Sequence, residues 1–175
     1  MMKNGNSFDK RSVTVFFIIL TLASKSVKVV GVIFICMERG AVMSKLEEIR
    51  ERFQNDRFAT QAVGIVIDAA EPGKAVCSLA LEPQHMNANN VPMGGAVFTL
   101  ADFTCAVAAN GFEERNTVSQ NASITFLAPA KGKRLIAEAS CLRSGRTTAL
   151  LTVDIRDEVG TYVAHATVNA YVVGS

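Results

Sequence analysis

The 175-residue chain has no tryptophan, two histidines, four cysteines and four prolines, and aromatic residues make up only 7% of it. Each scarcity closes a class of explanation. His85 and His165 lie far apart, so the chain offers no close histidine pair of the kind that holds zinc, and no structural or catalytic metal is expected. Cys36, Cys77, Cys105 and Cys141 include no C-x-x-C pair, which argues against a disulfide scaffold or dithiol motif and for a reducing, cytoplasmic setting. A basic surplus is missing where it would matter: residues 1–42 carry a formal +4, and the remaining residues carry −2. With so few aromatics, that acidic remainder has no footprint for nucleic acid. An apolar content of 49% excludes disorder, and no internal repeat or low-complexity tract is visible.

Long hydrophobic runs are also missing. Lys25 and Lys28 split residues 12–37 into two uncharged stretches, each short of the roughly 18 residues that span a bilayer. Two readings of residues 1–42 stand. Lys3, Lys10 and Arg11 precede an apolar run ending in Thr21-Leu22-Ala23, which fits a signal or anchor segment. Alternatively the start is over-extended and the protein begins at Met43, where Ser44-Lys45-Leu46-Glu47 forms a capping box ahead of Leu46, Ile49 and Phe53 on one helical face. We favour the second, and assign residues 1–42 to a leader and 43–175 to one domain, for which no membrane association is expected.

Within the domain, a helix is expected from Ser44 to about Gln54. Strands at Val63–Ile67 and Lys74–Leu81 flank the turn Glu71-Pro72-Gly73. Pro83, three asparagines and Pro92 mark a loop, and Gly94-Gly95 opens an apolar helix that Asn110-Gly111 stops. Residues 96–109 are apolar on nearly every side, which predicts an enclosed helix. The period then changes to two: Val118, Ala122, Ile124 and Phe126 share a face, with Gln120 the polar exception. Further strands are expected at 135–141, 147–155 and 162–173. The short turns between them imply antiparallel neighbours, so the fold class is α+β, a curved antiparallel sheet wrapped around one long central helix.

One residue conflicts with that helix. Between Glu82 and Glu113 the only Asp, Glu, Lys or Arg is Asp102, set among Phe98, Leu100, Ala101, Phe103 and Cys105. A buried carboxylate costs several kcal/mol unless it is hydrogen-bonded or paired. Either it accepts bonds from backbone amides, Thr99 or Thr104, or faces a wet interface, or it is a general base or nucleophile whose shielding keeps it basic near neutral pH. Gly94-Gly95 at the helix start makes either a tight turn or an oxyanion hole, since free amides, the helix dipole and the absence of side chains favour an approaching carbonyl oxygen. Eight helical residues put Gly94 and Asp102 about 12 Å apart, too far to flank one carbonyl. Two such helices packed antiparallel about a two-fold axis would bring Gly94 of one subunit to Asp102 of the other.

His85-Met86-Asn87, then Pro92-Met93-Gly94-Gly95-Ala96-Val97-Phe98-Thr99-Leu100-Ala101-Asp102-Phe103, resembles the signature of hotdog-fold acyl-CoA thioesterases of the PaaI-like, phenylacetic-acid-degradation group. Ile124-Thr125-Phe126-Leu127-Ala128-Pro129-Ala130 and Ser144-Gly145-Arg146 extend the resemblance over roughly residues 45–173. It implies a hotdog fold and hydrolysis of acyl-CoA. Asp102 would attack the thioester or activate water, Gly94 would donate its amide to the thioester oxygen, and Asn87 and Gly95 would lie against the substrate. The resemblance also suggests Arg143, Ser144, Gly145 and Arg146 for the CoA phosphates. The family usually has His before the glycines. Met93 stands there instead and suits the wall of an apolar acyl pocket.

These residues support an acyl-CoA thioesterase, with aryl or medium-chain groups as expected substrates, acting as a homodimer or homotetramer with a shared site. Coenzyme A enters as part of the substrate, and no separate cofactor is expected. The alternatives are a non-catalytic acyl-CoA binding or sensing protein, motivated by Met93, and a dehydratase or hydratase, which would need an acid and a histidine in one site and has only His85 to offer. The over-extended start predicts a native protein that begins at Met43 or Ser44. Amino-terminal peptide sequencing that found Met1, or a residue just after Ala23, would reject it.

Overall fold

Ser44 starts the first helix of the domain in the way its spacing predicts. In the computed structural model, which describes residues 16–24, 27–35, 43–113 and 116–173, its Oγ accepts from Glu47 N at 3.3 Å and its own N–H donates to Glu47 Oε2 at 2.8 Å. The chain divides into two compact units, Met1–Val42 and Met43–Ser175. In the first, β1 (Phe16–Ser24) pairs antiparallel with β2 (Val27–Ile35). Our readings of residues 1–15 and 36–42 lie outside the described residues. Among the described residues no helix is long and apolar enough to cross a membrane.

In the second unit α1 (Lys45–Phe53) buries Ile49 and sets Phe53 edge-on against Phe103, with ring centroids 5.7 Å apart. One expected strand is corrected. Val63 ends a helical turn (Phe58–Val63), Gly64 turns the chain at φ 82°, and β3 begins only at Val66. Val63, Ile65 and Ile67 are buried as an alternating strand would bury them, but a left-handed glycine breaks the run.

The remaining elements are β3 (Val66–Glu71), β4 (Lys74–Ala80), α2 (Gly94–Asn110), β5 (Asn116–Phe126), β6 (Arg134–Ser144), β7 (Thr148–Asp157) and β8 (Tyr162–Val173). The strands form one open antiparallel sheet in the order β3-β4-β6-β7-β8-β5. α2 therefore carries the chain across the sheet, from β4 near one edge to β5 at the other. Its Val97, Leu100 and Val107 bury into a core with Leu135 of β6, Leu151, Val153 and Ile155 of β7 and Val168 of β8. Each such side chain contributes about 1.5–3 kcal/mol of burial. Alanines at 137, 139, 164 and 166 are also buried there and leave the helix room to sit close to the sheet.

The expectation of a fully enclosed α2 is also corrected. Gly95, Phe98, Thr99, Asp102, Ala106 and Ala109 recur at helical spacing and stay wholly or partly exposed within the chain. The sheet packs on the Val97, Leu100 and Val107 side of this 17-residue helix, and the opposite stripe is left partly exposed within the domain.

Asp157 is the most deeply buried carboxylate described, at 3% exposure. Its Oδ2 accepts from Lys131 N (2.8 Å) and Gly132 N (3.0 Å), and its Oδ1 from Thr161 N (2.7 Å) and Val159 N (3.2 Å). Burial pushes its carboxyl up, but the amides of Gly132, Lys131 and Thr161 outweigh it and hold the group well below the usual carboxylate range. A depressed folded-state value stabilises the fold above the unfolded value of ~3.9, and the contribution fades as pH falls toward the folded value. Asp157→Asn, whose amide group must face backbone donors, should lower the melting temperature by a constant amount from pH 7 to pH 5. The gap should narrow below about pH 4; a gap independent of pH in melting curves would contradict this.

Candidate active site

The loop before α2 is built on asparagine. Asn87 Oδ1 accepts from Asn89 N (2.8 Å) and Val91 N (3.3 Å), and its backbone N–H donates to Val91 O (2.9 Å). Asn90 takes φ 56°, a conformation asparagine tolerates better than most residues. Asn87 keeps its side-chain NH2 as a free donor on an exposed loop facing the start of α2. His85, in a loop of mostly exposed residues, is buried: its Nδ1 accepts from Glu82 N at 3.0 Å and its carbonyl receives Met93 N at 2.7 Å. Accepting at Nδ1 places the ring proton on Nε2, which is buried without a partner.

At the helix start, Met93 O takes the N–H groups of Ala96 (3.0 Å) and Val97 (3.2 Å), which leaves the Gly94 and Gly95 amides with no protein acceptor among the described residues. Space is tight at Gly94 and ordinary at Gly95. A Cβ on Gly94 would come within 3.1 Å of the Phe126 ring, and one on Gly95 within 3.4 Å of the Met93 methyl. Met93, 55% exposed, thus folds its thioether back over the first helical turn beside the free amides. A cavity of about 500 Å3 opens there, lined by Asn87, Gly94, Val97, Phe126, Leu127 and Val163 among others.

Asp102 is half-buried on the uncovered stripe, not sealed in the core as its neighbours in sequence suggested. Thr99 and Thr104, its expected local donors, bond the carbonyls of Gly95 (2.8 Å) and Leu100 (2.6 Å) instead. The donor comes from β5: Ser119 Oγ lies 2.7 Å from Asp102 Oδ1. Sequence periodicity missed Ser119 because it assumed an unbroken alternation. β5 pairs Ser119 with Ala170 and Asn121 with Asn169, so Gln120 is an extra residue in a bulge and the two halves of the strand are out of phase. Ser119 precedes the bulge and Ala122, Ile124 and Phe126 follow it, yet all turn toward α2, while Val118 is left 51% exposed. A second cavity, of about 340 Å3, adjoins Asp102, Ser119, Cys105 and Ala106.

The structure brings Asn87, Met93, Gly94 and Gly95 together and sets Asp102 apart from them on the same helix. Arg143 and Ser144 end β6, which runs past the expected strand end at Cys141 through a bulge, and Gly145 and Arg146 begin the following turn. Ser144 borders a small cavity with Ala108 and Ala109, at the carboxyl end of α2 and so far from Gly94 of the same chain. His165 hydrogen-bonds Asp154 at 2.7 Å on β7 and stays partly exposed. Burial pushes the Cys77 and Cys105 thiols up to about 12, so neither offers a thiolate near neutral pH.

A helix amino terminus with free amides and a serine-held carboxylate on one uncovered face, over a curved antiparallel sheet, define the class: a hotdog-fold thioester hydrolase. Residues 89–164 match the family model described as Thioesterase superfamily. Human acyl-coenzyme A thioesterase 13 is 30% identical over 121 residues, 67% of this chain and 86% of that protein. The acyl-coenzyme A thioesterase PaaI of Escherichia coli is 32% identical over 104 residues, 59% of this chain and 73% of that protein. The solved E. coli PaaI structure superposes with a TM-score of 0.69 at 25% identity, covering 75% of this chain and 95% of that one. A Streptococcus pneumoniae thioesterase solved with coenzyme A gives 0.65 at 25% identity, over 70% and 98%. The chain belongs to the thioesterase superfamily, as a PaaI-like acyl-CoA thioesterase of the hotdog fold.

Ser119 restrains one oxygen of Asp102 and leaves the other without a protein donor among the described residues. A hydrogen bond to a charged group is worth ~1.5–3 kcal/mol, and the partly open setting favours the low end. Ser119→Ala should lower kcat for thiol release about tenfold with little change in KM. An unchanged kcat would show that the contact does not orient the acid.

Proposed function

We propose that the protein hydrolyses aryl- or medium-chain acyl-CoA thioesters to the free acid and CoA in the cytoplasm, at a site shared between two subunits of a homodimer or homotetramer. The separation of Gly94 from Asp102 carries this reading. About 12 Å of helix keeps the amide and the carboxylate of one chain from meeting at one carbonyl, and both lie toward the same uncovered stripe. Antiparallel packing of two stripes supplies the missing half from each partner and covers the exposed apolar residues. An isologous contact of this kind gives two equivalent sites.

In such a site the thioester oxygen lies against the Gly94 amide, at the positive end of the helix dipole, where developing negative charge is stabilised. Asp102 of the partner subunit, steadied by Ser119, acts in one of two ways. It takes a proton from a water that attacks the carbonyl carbon and passes it to the departing CoA thiolate. Alternatively it attacks the carbon itself, expelling CoA thiolate that takes a proton from water, to form an anhydride that a second water hydrolyses to the free acid. Asn87 donates its side-chain NH2 near the reacting group, and Met93 and Gly95 border the entry. Arg143, Ser144, Gly145 and Arg146 receive the phosphates, a role open to the exposed guanidinium groups only through another subunit. The cavity at Gly94 is roomy and mostly apolar, and the E. coli PaaI structure is described as coming from the phenylacetic acid degradation operon; both support an aryl or medium-length acyl group.

Release of free thiol from a panel of acyl-CoAs tests the proposal. Wild type should turn over aryl and medium-chain members best, and Asp102→Ala should lose at least a hundredfold of that rate. Mixing Asp102→Ala subunits with subunits blocked at Gly94 should restore part of the activity, because one intact site then forms per heterodimer. Tight acyl-CoA binding without turnover, or no complementation in verified heterodimers, would overturn it.

A further inference from the structure

We infer that Asp157 and Glu158 are positioning residues for the substrate cavity at Gly94, acting through the loop between β5 and β6; the inference rests on that cavity holding substrate, as proposed above. The wall opposite α2 is made by Phe126, Leu127, Ala128, Pro129, Ala130 and Val163. Apolar packing holds this loop at Ala130, which lies against the core, but Leu127 is 50% exposed and the residues after Ala130 are Lys, Gly and Lys. Two carboxylates hold that stretch by its backbone instead. Asp157 Oδ2 takes the amides of Lys131 and Gly132, and Glu158 takes those of Lys133 (2.6 Å) and Arg134 (2.7 Å), so four consecutive N–H groups end on two adjacent acids.

The other oxygen of Asp157 reaches the second piece of the same wall. It takes the amides of Val159 and Thr161, in the turn that leads into β8. Two residues later Val163 lines the cavity, and its carbonyl accepts Leu127 N at 2.9 Å. One buried carboxylate thereby spans both segments, and Asp157 N donates to Thr161 O at 3.0 Å to close the turn. Gly132 is where the clamp is tightest. A Cβ there would lie 2.3 Å from Glu158 Oε2, so any side chain expels the carboxylate from its two amides. Asp157 alone would serve a purely structural turn; the four amides on the cavity loop are what a wall needs to keep its shape.

Three variants approach the clamp by separate routes: Glu158→Gln, on the surface, Gly132→Ala, which displaces the same carboxylate, and Asp157→Asn, studied at a temperature where circular dichroism shows it folded. Each should raise KM for a good acyl-CoA substrate, about three- to tenfold, while kcat falls less than threefold. Amides 131–134 should exchange with deuterium faster in Glu158→Gln and Gly132→Ala, with the core strands unaffected, and Glu158→Asp should recover part of the wild-type KM. Faster exchange with an unchanged KM in all three variants would overturn the inference, as would unchanged exchange in Glu158→Gln and Gly132→Ala. If wild type releases no thiol from any acyl-CoA, the proposed function fails instead, and the exchange measurement still reads the clamp.

Discussion

Asp102 follows Gly94 by eight positions of unbroken helix, and the rest of the site is arranged around that fixed interval. A helix neither stretches nor folds back to bring its ends together. The sheet therefore packs against one side of α2 and leaves the side carrying both groups uncovered. The crossing of α2 from one sheet edge to the other produces this arrangement, because it buries Val97, Leu100 and Val107 on the sheet and turns Phe98, Asp102 and Ala106 away. Core packing and the exposed polar groups are thus divided between opposite sides of one element.

The polar groups that shape the site are mostly committed to the backbone. Asn87 folds its own loop with its carbonyl oxygen, Asp157 and Glu158 gather six amides of two loops, and His85 accepts from Glu82. Such contacts fix the backbone of the loops around the site, and Asp102 is the one carboxylate on the exposed stripe of α2. Under the proposed function, methionine where the family usually has histidine leaves oriented amides and one carboxylate as the groups that act on the thioester. The thioether at Met93 occupies space beside the amides and offers no strong donor.

Much of this was legible in the sequence. Glycine pairs, capping residues and turn dipeptides placed α1, α2 and the later strands within a few residues, because those signals act locally. Asp102 stood out as the one charge in an apolar helix. Two features escaped for the same physical reason, namely that they depend on partners remote in the chain. The exposure of the Asp102 stripe follows from which side of α2 the sheet takes, and the phase slip at Gln120 follows from the pairing of its neighbours Ser119 and Asn121 with Ala170 and Asn169. His85 escaped because a polar loop does not announce which of its members turns inward.

The bulge at Gln120 has a consequence for how the two ends of β5 are used. A regular strand shows odd and even residues to opposite sides, so Ser119 and Phe126 could not both turn toward the helix without it. With it, a single strand steadies the acid at one end and packs against the glycine amide at the other. In the proposed dimer those two groups belong to different sites, so one β5 serves both centres at once. The two sites then share a mechanical part, and a distortion that begins at one of them is carried along the strand from Ser119 to Phe126 to its neighbour.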